Sequence, residues 1–518
     1  MTTLPSTQNP ADGSPLTPVE ATDVAALPKM VERARAAQKQ WSSQSLPARV
    51  EAARALARAL LAGREAATAL LSEETGRGPT ECLMSELVGA VDFADAAVRA
   101  AKKALAPERI KLSAVNYPGK RAVVELLPRG VIAIIAPWNY PLGNFMKSLF
   151  PALLSGNAVI LKPSEHTPRS GAWLAEIAGQ VFPKDLVQVV QGGGDVASAL
   201  LDAEIDAVVF TGSVSTGRKV AVRCAEKLIP CSVELGGKDA AIVLGDADLE
   251  RTSMGVAQWG LHNAGQNCAA IERVYVEESI ADDFVARLGK IADALRVAPG
   301  DSPTELGPLQ NEAQLKIVEA HVADALERGA TLVAGGKPTG TGLGYRPTVL
   351  DRCTHQMRVM TEETFGPVIA IQRVKDADEA VRLANDSRYG LNGSVWTRDV
   401  ERGEALARQL EVGISLVNNH AITGILAETP WTGVKDTGTG VASSRHAYST
   451  FTRPHTVFVD RSSKPDPWWF PANEDLATLG DTLVARASGS FGALFKLAGL
   501  AGKRVKAIQE LARRAATS

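Results

Sequence analysis

The chain has 518 residues, and its 56 Lys and Arg side chains nearly balance its 58 Asp and Glu side chains, leaving a formal net charge of −2. A chain of this length exceeds one ordinary core, so two or three domains with a cleft between them are expected. The balanced charge provides no global field that would attract nucleic acid, and no nucleic-acid partner is expected.

The cysteines and histidines exclude further classes of site. The five cysteines are odd in number and show no CxxC spacing, which argues against a disulfide framework and a zinc site. The seven histidines show no HExxH or other ligand spacing, so no metal is expected. The first residues contain no Lys, no Arg and no apolar segment, which predicts neither a secretory signal nor a transit peptide. We therefore expect a cytoplasmic protein with reduced thiols.

The N-terminal part is predicted to be helical. Ala-rich segments with Arg and Glu on the intervening positions predict two amphipathic helices between Ala21 and Ser72. A third helix is predicted from roughly Glu81 to Leu105. Pro118 and Gly119 then separate two short stretches of alternating polar and apolar residues, which predicts a β-hairpin.

From Gly130 onward, apolar runs rich in β-branched residues alternate with helical segments. The runs are VIAIIAP, NAVILKP, LVQVVQGGG, AVVFTGS and AAIVLGD. Continuous apolar strands separated by helices are typical of a parallel sheet covered on both faces, so a Rossmann-like α/β domain is predicted. The segment GSVSTGRK lacks the lysine and hydroxyl positions of a P-loop, so that kind of phosphate site is excluded.

A second series of strands and helices follows Cys268 and predicts a second α/β domain, which carries this thiol. The late apolar segment TFTRPHTVFVDR is expected to return and pair beside the early hairpin. The predicted fold class is therefore α/β, with a Rossmann-like domain, a further α/β domain and a small β element.

Two compact segments place a carboxylate and a thiol in glycine-flanked settings. VELGGKDA contains Glu234, and GQNCAA contains Cys268. A cysteine is a good nucleophile as a thiolate or beside a base, and a glutamate next to a flexible Gly-Gly turn can act as that base. The pair suggests acyl chemistry. In these segments and their separation, the chain resembles the aldehyde dehydrogenase superfamily of the non-phosphorylating, nicotinamide-dependent kind.

The resemblance implies a mechanism. The Cys268 thiolate would attack the aldehyde carbon, and hydride transfer to NAD would leave a thioester that water, activated by Glu234, hydrolyses to the acid. Asn139 of the PWNYP motif, together with the backbone N–H of Cys268, would form the oxyanion hole.

Seven residues are assigned to cofactor binding by the same resemblance. Lys162 and Glu165 would bind the adenosine ribose. A carboxylate in this place favours NAD over NADP, because it would repel the 2′-phosphate of NADP. The others, in motifs near the pyrophosphate or the nicotinamide, are Trp138, Gly212, Ser213, Glu363 and Phe365. NAD is the expected cofactor, with NADP less favoured.

The resemblance also divides the chain and implies a homodimer or homotetramer. The predicted parts are an NAD-binding domain at 1–109 and 129–235, a catalytic domain at 236–445, a β oligomerisation element at 110–128 and 446–461, and a C-terminal extension at 462–518.

The substrate is an aldehyde whose class the motifs leave open. By motif position, the tunnel of the resembled family would be lined by Tyr140, Lys147, His262, Asn267, Ala269 and Trp431. Lys147 is a candidate partner for a substrate carboxylate, with a solvated lysine as the alternative. Trp431 and Thr432 depart from the family's usual Phe and Gly, so the tunnel mouth is expected to differ.

Two rival functions remain open on the same fold. One is a cysteine enzyme that transfers the acyl group to coenzyme A, which the presence of Glu234 disfavours because a thiol acceptor needs no base for water. The other is a thiol esterase or a binding protein without redox turnover.

The tail from Arg486 to Ser518 lies outside the resemblance and is predicted to be a basic amphipathic helix. Its apolar stripe comprises Leu494, Leu497, Ala498, Ala501, Val505, Ile508 and Ala512, and the opposite side carries Lys496, Lys503, Lys506, Arg513 and Arg514. Such a helix suits peripheral contact with an anionic membrane. The alternative is packing on the protein's own surface or on a neighbouring subunit.

Overall fold

The computed structural model describes Leu4 and residues 8–114, 116–298 and 305–517. These residues form two compact units. The first comprises the chain up to Ala106 together with Leu126–Arg453, and the second comprises Pro107–Glu125 together with the residues from Pro454 onward. Ser518, the end of the predicted tail helix, lies outside the described residues.

The N-terminal helices number three before Gly76, so the prediction of two helices over 21–72 is wrong. Residues 43–45 separate the first observed helix from the second. The Ser45 side chain accepts a hydrogen bond from Ala48 N at the start of the second helix, and Gly63 ends this helix. The helices and strands of this part are α1 (Leu27–Ser42), α2 (Leu46–Ala62), α3 (Arg64–Thr75), α4 (Pro79–Cys82), α5 (Val88–Ala104), β1 (Glu108–Ile110) and β2 (Lys120–Pro128).

The predicted third helix is confirmed in extent but is irregular. A π-helical turn at Leu83–Leu87 joins α4 to α5. Such turns add a residue to a helix and are frequent at functional sites.

The first sheet confirms the predicted Rossmann-like arrangement. Its five strands are all parallel in the order β5-β4-β3-β6-β7, with helices connecting them. Its elements are β3 (Val131–Ile135), α6 (Gly143–Leu154), β4 (Ala158–Lys162), α7 (Pro168–Gly179), β5 (Val187–Val189), α8 (Gly194–Asp202), β6 (Ala207–Thr211), α9 (Val214–Glu226) and β7 (Cys231–Glu234).

The second sheet has seven strands in the order β10-β11-β12-β9-β8-β13-β14, of which only the β10–β11 pair is antiparallel. Its elements are β8 (Asp239–Val243), α10 (Leu249–Leu261), β9 (Ile271–Glu277), α11 (Glu278–Ala294), α12 (Glu312–Glu327), β10 (Thr331–Ala334), β11 (Thr348–Asp351), α13 (Arg358–Thr361), β12 (Val368–Val374), α14 (Ala377–Asn385), β13 (Asn392–Trp396), α15 (Val400–Ala407) and β14 (Ile414–Val417).

One strand lies in a different sheet from the one predicted. The run AAIVLGD forms β8 of the second sheet, and the fifth strand of the first sheet is β7, which periodicity did not reveal. The chain passes between the sheets through only Leu235–Lys238, because Gly236 and Gly237 allow a tight connection.

The order of the strands brings the predicted motifs together. The segments after β3, β4, β6 and β7 all leave the same carboxyl edge of the first sheet, because these strands are parallel neighbours. The segments before β8, β9 and β12 enter the second sheet at one amino edge for the same reason. The short connection from β7 to β8 joins the two edges, and the candidate residues lie there.

The first unit is completed by β15 (Trp431–Thr432), β16 (Val441–Ala442) and α16 (Tyr448–Phe451). The second unit contains a three-stranded sheet in the order β1-β2-β17, where β17 is Thr452–Asp460, followed by α17 (Glu474–Ala487) and α18 (Phe491–Thr517). The predicted hairpin and the returning late strand are confirmed, although the first hairpin strand lies earlier, at Glu108–Ile110.

The predicted tail helix is confirmed as α18, but it begins at Phe491 rather than Arg486. Gly489 adopts a left-handed backbone conformation, with φ of +95°, and separates α18 from α17. Among the described residues, none of the helices is both long and apolar enough to cross a bilayer.

Candidate active site

A cavity of about 210 Å³ in the first unit contains both Cys268 and Glu234 in its wall. These two residues come from opposite sides of the connection between the sheets. Other side chains of the wall are Met84, Phe93, Asn144, Thr211, Gln258, Trp259 and Ile425. The sequence-predicted thiol and carboxylate therefore share one site.

Cys268 follows a 3-10 turn at His262–Gly265 and precedes β9. Its residue is half-buried, and burial raises the pKa of the thiol to about 12, an effect that the nearby Lys147 charge opposes. A Cβ at Gly237 would come within 2.1 Å of the Cys268 carbonyl oxygen. Only glycine lets the connection between the sheets pass this close to the thiol-bearing backbone.

Glu234 is the last residue of β7 and pairs with Thr211 at the end of β6. Its carboxyl group is buried, and Oε1 has no hydrogen-bond partner among the described residues. Burial raises the pKa of Glu234 to about 7, again opposed by Lys147. A carboxyl group with this pKa can both take and release a proton near neutral pH.

Asn139 is buried beside the loop that carries Cys268. Its Nδ2 donates to the carbonyl of Gln266 over 3.0 Å, and its Oδ1 accepts from Asn144 Nδ2 over 3.2 Å. Asn263 Nδ2 donates to the Asn139 carbonyl over 2.9 Å. One amide proton of Asn139 is thus committed to the loop two residues before the thiol, and the second proton is left for another acceptor.

A buried ion pair that sequence reasoning missed fixes the Asn139 loop. Arg77 Nη2 lies 2.6 Å from Glu86 Oε1, and both side chains are almost completely buried. Glu86 Oε2 accepts from the backbone N–H groups of Leu142 and Gly143 over 3.1 and 2.8 Å, at the start of α6. A carboxylate at a helix N-terminus satisfies unpaired amides and complements the helix dipole.

The predicted nucleotide residues lie along the carboxyl edge of the first sheet. Lys162 Nζ lies 3.7 Å from Glu165 Oε2, directly after β4. Gly212 follows β6, two strands away, and the Ser213 side chain caps α9 by accepting from Thr216 N. Glu165 also borders an open cleft of about 430 Å³. The structure therefore brings these four predicted residues to one edge.

Of the other predicted cofactor residues, Trp138 follows β3 at this edge, whereas Glu363 and Phe365 precede β12 and lie across from it. Glu363 Oε1 accepts from Gly237 N over 3.0 Å, and burial raises the pKa of Glu363 to about 8. Phe365 packs edge-to-face on Trp138, with ring centroids 5.5 Å apart. All three residues are thus placed beside the segments that carry Cys268 and Asn139.

A second buried ion pair, also missed, holds the loop that carries Glu363 and Phe365. Lys238 pairs with Glu272, and both side chains are almost fully buried. The two carboxylate oxygens of Glu272 accept from the backbone N–H groups of Thr364 and Phe365, each over 2.8 Å. Neither pair had a sequence signal, because its partners lie in separate motifs.

Five of the six tunnel residues expected from motif position line the cavity, and the expectation for Ala269 is wrong. Ala269 is completely buried beneath the loop and packs among apolar residues around Trp431. Lys147 Nζ lies 4.6 Å from the centre of the Trp431 ring, within the range of a cation–π contact. Tyr140 and His262 stack, with 3.1 Å between the phenol oxygen and Nδ1.

Comparison with known proteins places this geometry in context. The model of the aldehyde dehydrogenase family matches residues 3–457. A 4,4'-diapolycopene aldehyde oxidase from Methylomonas sp is 36% identical over 478 residues, covering 91% of this chain and 88% of the relative. A Mycolicibacterium smegmatis relative, provisionally named succinate-semialdehyde dehydrogenase [NADP(+)], is 36% identical over 453 residues and covers 86% of each chain.

A solved structure gives the same result in three dimensions. The Mycobacterium tuberculosis aldehyde dehydrogenase complexed with NAD+ superposes with a TM-score of 0.83 at 34% identity. The match covers 88% of this chain and 95% of that chain.

The close approach of Gly237 to Cys268 predicts a strong effect of one methyl group. Gly237→Ala should lower the free energy of unfolding by roughly 1–3 kcal/mol, because the added Cβ must displace the buried backbone at Cys268. Gly179→Ala is the matched control, since a Cβ there meets nothing within 4 Å and Gly179 ends helix α7. Urea unfolding followed by tryptophan fluorescence measures both variants, and equal midpoints for the two would contradict the steric argument.

Proposed function

Because this chain belongs to the aldehyde dehydrogenase family, we propose that it oxidises an aldehyde to the carboxylic acid with NAD, through a covalent bond to Cys268. The observation that carries the proposal is the shared cavity of Cys268 and Glu234. A nucleophile and a buried carboxyl group with a pKa near neutrality are what acyl transfer to water requires.

In the first step, the sulfur of Cys268 attacks the aldehyde carbon. Its thiol has a raised pKa, so a base must take the proton as the S–C bond forms. Glu234 is in the same cavity wall with a buried, unpaired oxygen, and it serves as this base. Lys147 stabilises the thiolate through its charge.

The oxygen of the bound aldehyde becomes an oxyanion in this step. Asn139 is suited to stabilise it, because one proton of its Nδ2 is held by Gln266 and the amide is rigidly oriented. The backbone N–H of Cys268 is proposed as the second donor. A single donor of this kind can contribute roughly 3 kcal/mol to the transition state.

The donors and acceptors along the sheet edge fit a dinucleotide. Lys162 and Glu165 suit ribose hydroxyls, and the N-terminus of α9 at Gly212 and Ser213 suits a pyrophosphate. Glu363, Phe365 and Trp138 are proposed to hold the nicotinamide ribose and ring. NAD held there would supply the hydride acceptor for the carbon attached to Cys268, and loss of this hydride would convert the adduct to a thioester.

In the last step, water hydrolyses the thioester and frees the acid. Glu234 takes a proton from this water, and the Cys268 sulfur leaves as a thiolate. This role distinguishes the proposal from transfer to coenzyme A, whose thiol needs no such base. A thiol esterase would use the same two residues but would need no dinucleotide. The Lys162–Glu165 pair at the carboxyl edge of the first sheet therefore favours the redox reaction.

The side chains that line the cavity limit which aldehydes can bind. Trp431, Tyr140 and His262 provide aromatic surface, and Lys147 provides a positive charge. By their names, the two relatives act on different aldehydes, 4,4'-diapolycopene aldehyde and succinate semialdehyde. We assign Lys147 to stabilising Cys268, because its ammonium lies over Trp431 and is coupled to the thiol and to Glu234.

We also propose a homodimer or homotetramer in the cytoplasm. The assembly is supported by the three-stranded sheet of the predicted oligomerisation element at 110–128 and 446–461. The proposed NAD-binding domain at 1–109 and 129–235 corresponds to the five-stranded sheet, and the proposed catalytic domain at 236–445 corresponds to the seven-stranded sheet. The five unpaired cysteines agree with a reducing compartment.

The two steps predict different defects for two variants. Glu234→Gln should still show a burst of NADH on mixing with NAD and a small aldehyde, slowed because Cys268 loses its proton acceptor, but turnover should be slowed more, by roughly 10²–10⁴-fold, because hydrolysis loses its base. Cys268→Ala should show neither burst nor turnover. Stopped-flow absorbance at the NADH band measures both. Equal loss of burst and turnover in Glu234→Gln, or turnover by Cys268→Ala, would refute the assignment.

The charge of Lys147 predicts a pH effect. It favours the anionic forms of Cys268 and Glu234, so Lys147→Met should raise both pKa values and move the acidic limb of the kcat/KM profile to higher pH. Exposed Lys39→Met is the control. If Lys147 instead binds a substrate carboxylate, KM should rise for acidic aldehydes alone and the pH limb should stay in place.

The carboxylate of Glu165 predicts cofactor choice. The unmodified protein should prefer NAD, and Glu165→Gln should shift the ratio of kcat/KM values toward NADP by about tenfold, because repulsion of the 2′-phosphate is removed. Glu176→Gln, at an exposed position on α7, is the matched control. A preference for NADP before mutation would show that Glu165 does not face the ribose.

A further inference from the structure

The second unit ends in a helical hairpin whose tip is apolar. Helices α17 and α18 are joined by Ser488–Ser490, and large apolar side chains around this turn face solvent. We define the hairpin tip as Leu483, Val484, Phe491, Leu494 and Phe495, which are 40%, 67%, 78%, 36% and 74% exposed. Phe491 and Phe495 pack edge-to-face, with ring centroids 5.9 Å apart. An exposed apolar cluster of this kind marks an interaction surface.

The exposed tip belongs to a helical hairpin that is anchored within the second unit by Arg504. Arg504 of α18 is completely buried. Its guanidinium donates to the Pro467 carbonyl over 2.9 Å, to Asn473 Oδ1 over 2.6 Å and to the Trp469 carbonyl. Asn473 in turn caps α17. Both helices are therefore fixed to the same segment.

Four residues of the predicted apolar stripe of α18 line a cavity of the second unit. Leu494, Leu497, Ala498 and Ala501 line a cavity of about 730 Å³ together with Leu479, Leu483, Tyr117 and Trp468. The stripe is thus only partly covered within the second unit, because Leu494 and Ala498 are exposed. The tip faces outward, as do Trp468, Trp469 and Phe470 of the same unit, and Leu483 and Leu494 make the tip continuous with the cavity.

The charged residues that α18 carries nearest the tip are basic, whereas exposed Asp481 lies two residues before Leu483 on α17. The chain from Thr482 to Gln509 contains no Asp or Glu, while it contains Arg486, Lys496, Lys503, Arg504 and Lys506. With Arg504 buried, the three lysines remain exposed on α18. Aromatic side chains at the end of an element, flanked by exposed lysines, complement a bilayer with anionic headgroups.

We propose that the hairpin tip docks on the surface of a membrane that contains anionic lipid. Phe491 and Phe495 enter the acyl boundary, and Lys496, Lys503 and Lys506 contact the headgroups. The docking is peripheral, because α18 is not apolar enough to cross a bilayer. The inference does not depend on the aldehyde that the first unit oxidises.

The test is co-sedimentation of the full chain with phosphatidylcholine vesicles that contain or lack phosphatidylglycerol. The protein should bind the phosphatidylglycerol vesicles, and added salt should weaken this binding. Phe491→Ser/Phe495→Ser should weaken it by at least about tenfold, because two large apolar contacts are lost. Lys496→Glu/Lys503→Glu should abolish the preference for phosphatidylglycerol.

The matched control is Val222→Ser/Met254→Ser, which removes two side chains that are 60% and 59% exposed on helices of the first unit. It should bind vesicles as the unmodified protein does. Circular dichroism checks that all variants are folded. Absence of vesicle binding by the unmodified protein, or equal binding by Phe491→Ser/Phe495→Ser, would overturn the proposal. The proposal is also overturned if the unmodified protein does not bind vesicles and light scattering shows a lower mass for Phe491→Ser/Phe495→Ser. That result would assign the tip to self-association.

Discussion

The buried ion pair between Lys238 and Glu272 is the constraint on which the proposed active site depends. Lys238 immediately follows Gly237, and Glu272 lies in the strand that follows Cys268. Because the Glu272 carboxylate also binds the amides before β12, one contact fixes three chain segments against each other. Removing one partner of such a pair leaves an uncompensated buried charge and typically costs about 3–5 kcal/mol. The pair thus gives the site rigidity that its glycine-rich segments cannot supply.

Much of the fold could be predicted from the sequence because it is encoded locally. Strands β3, β4 and β6 of the first sheet are continuous runs rich in β-branched residues. Because both faces of these strands are buried, the runs are not interrupted by polar residues and can be recognised in the sequence. The candidate residues could be predicted for a related reason. Glu234, Cys268 and the Lys162–Glu165 pair occur in short segments with their own turn residues. Parallel strands place Glu234 and the Lys162–Glu165 pair at the carboxyl edge of the first sheet and Cys268 at the amino edge of the second.

The parts that could not be predicted depend on distant partners. Nothing near Glu86 in the sequence indicates that it would accept from amides at Gly143, and nothing near Arg77 indicates its burial. The same limit applies to Arg504, for which nothing in the neighbouring sequence indicates complete burial. The position of β8 was also missed, since an apolar run does not reveal which of two sheets it joins.

The π-helical turn at Leu83–Leu87 has a consequence for how sequences of this type can vary in length. One residue advances an α-helix by about 100°, so a single deletion in this turn would convert it to regular helix and rotate Glu86 away from α6. The regular helix would be the easier one to form locally, but the buried amides at the start of α6 would lose their acceptor. Substitution at the exposed Met84 would leave Glu86 in place, whereas the loss of one residue would not.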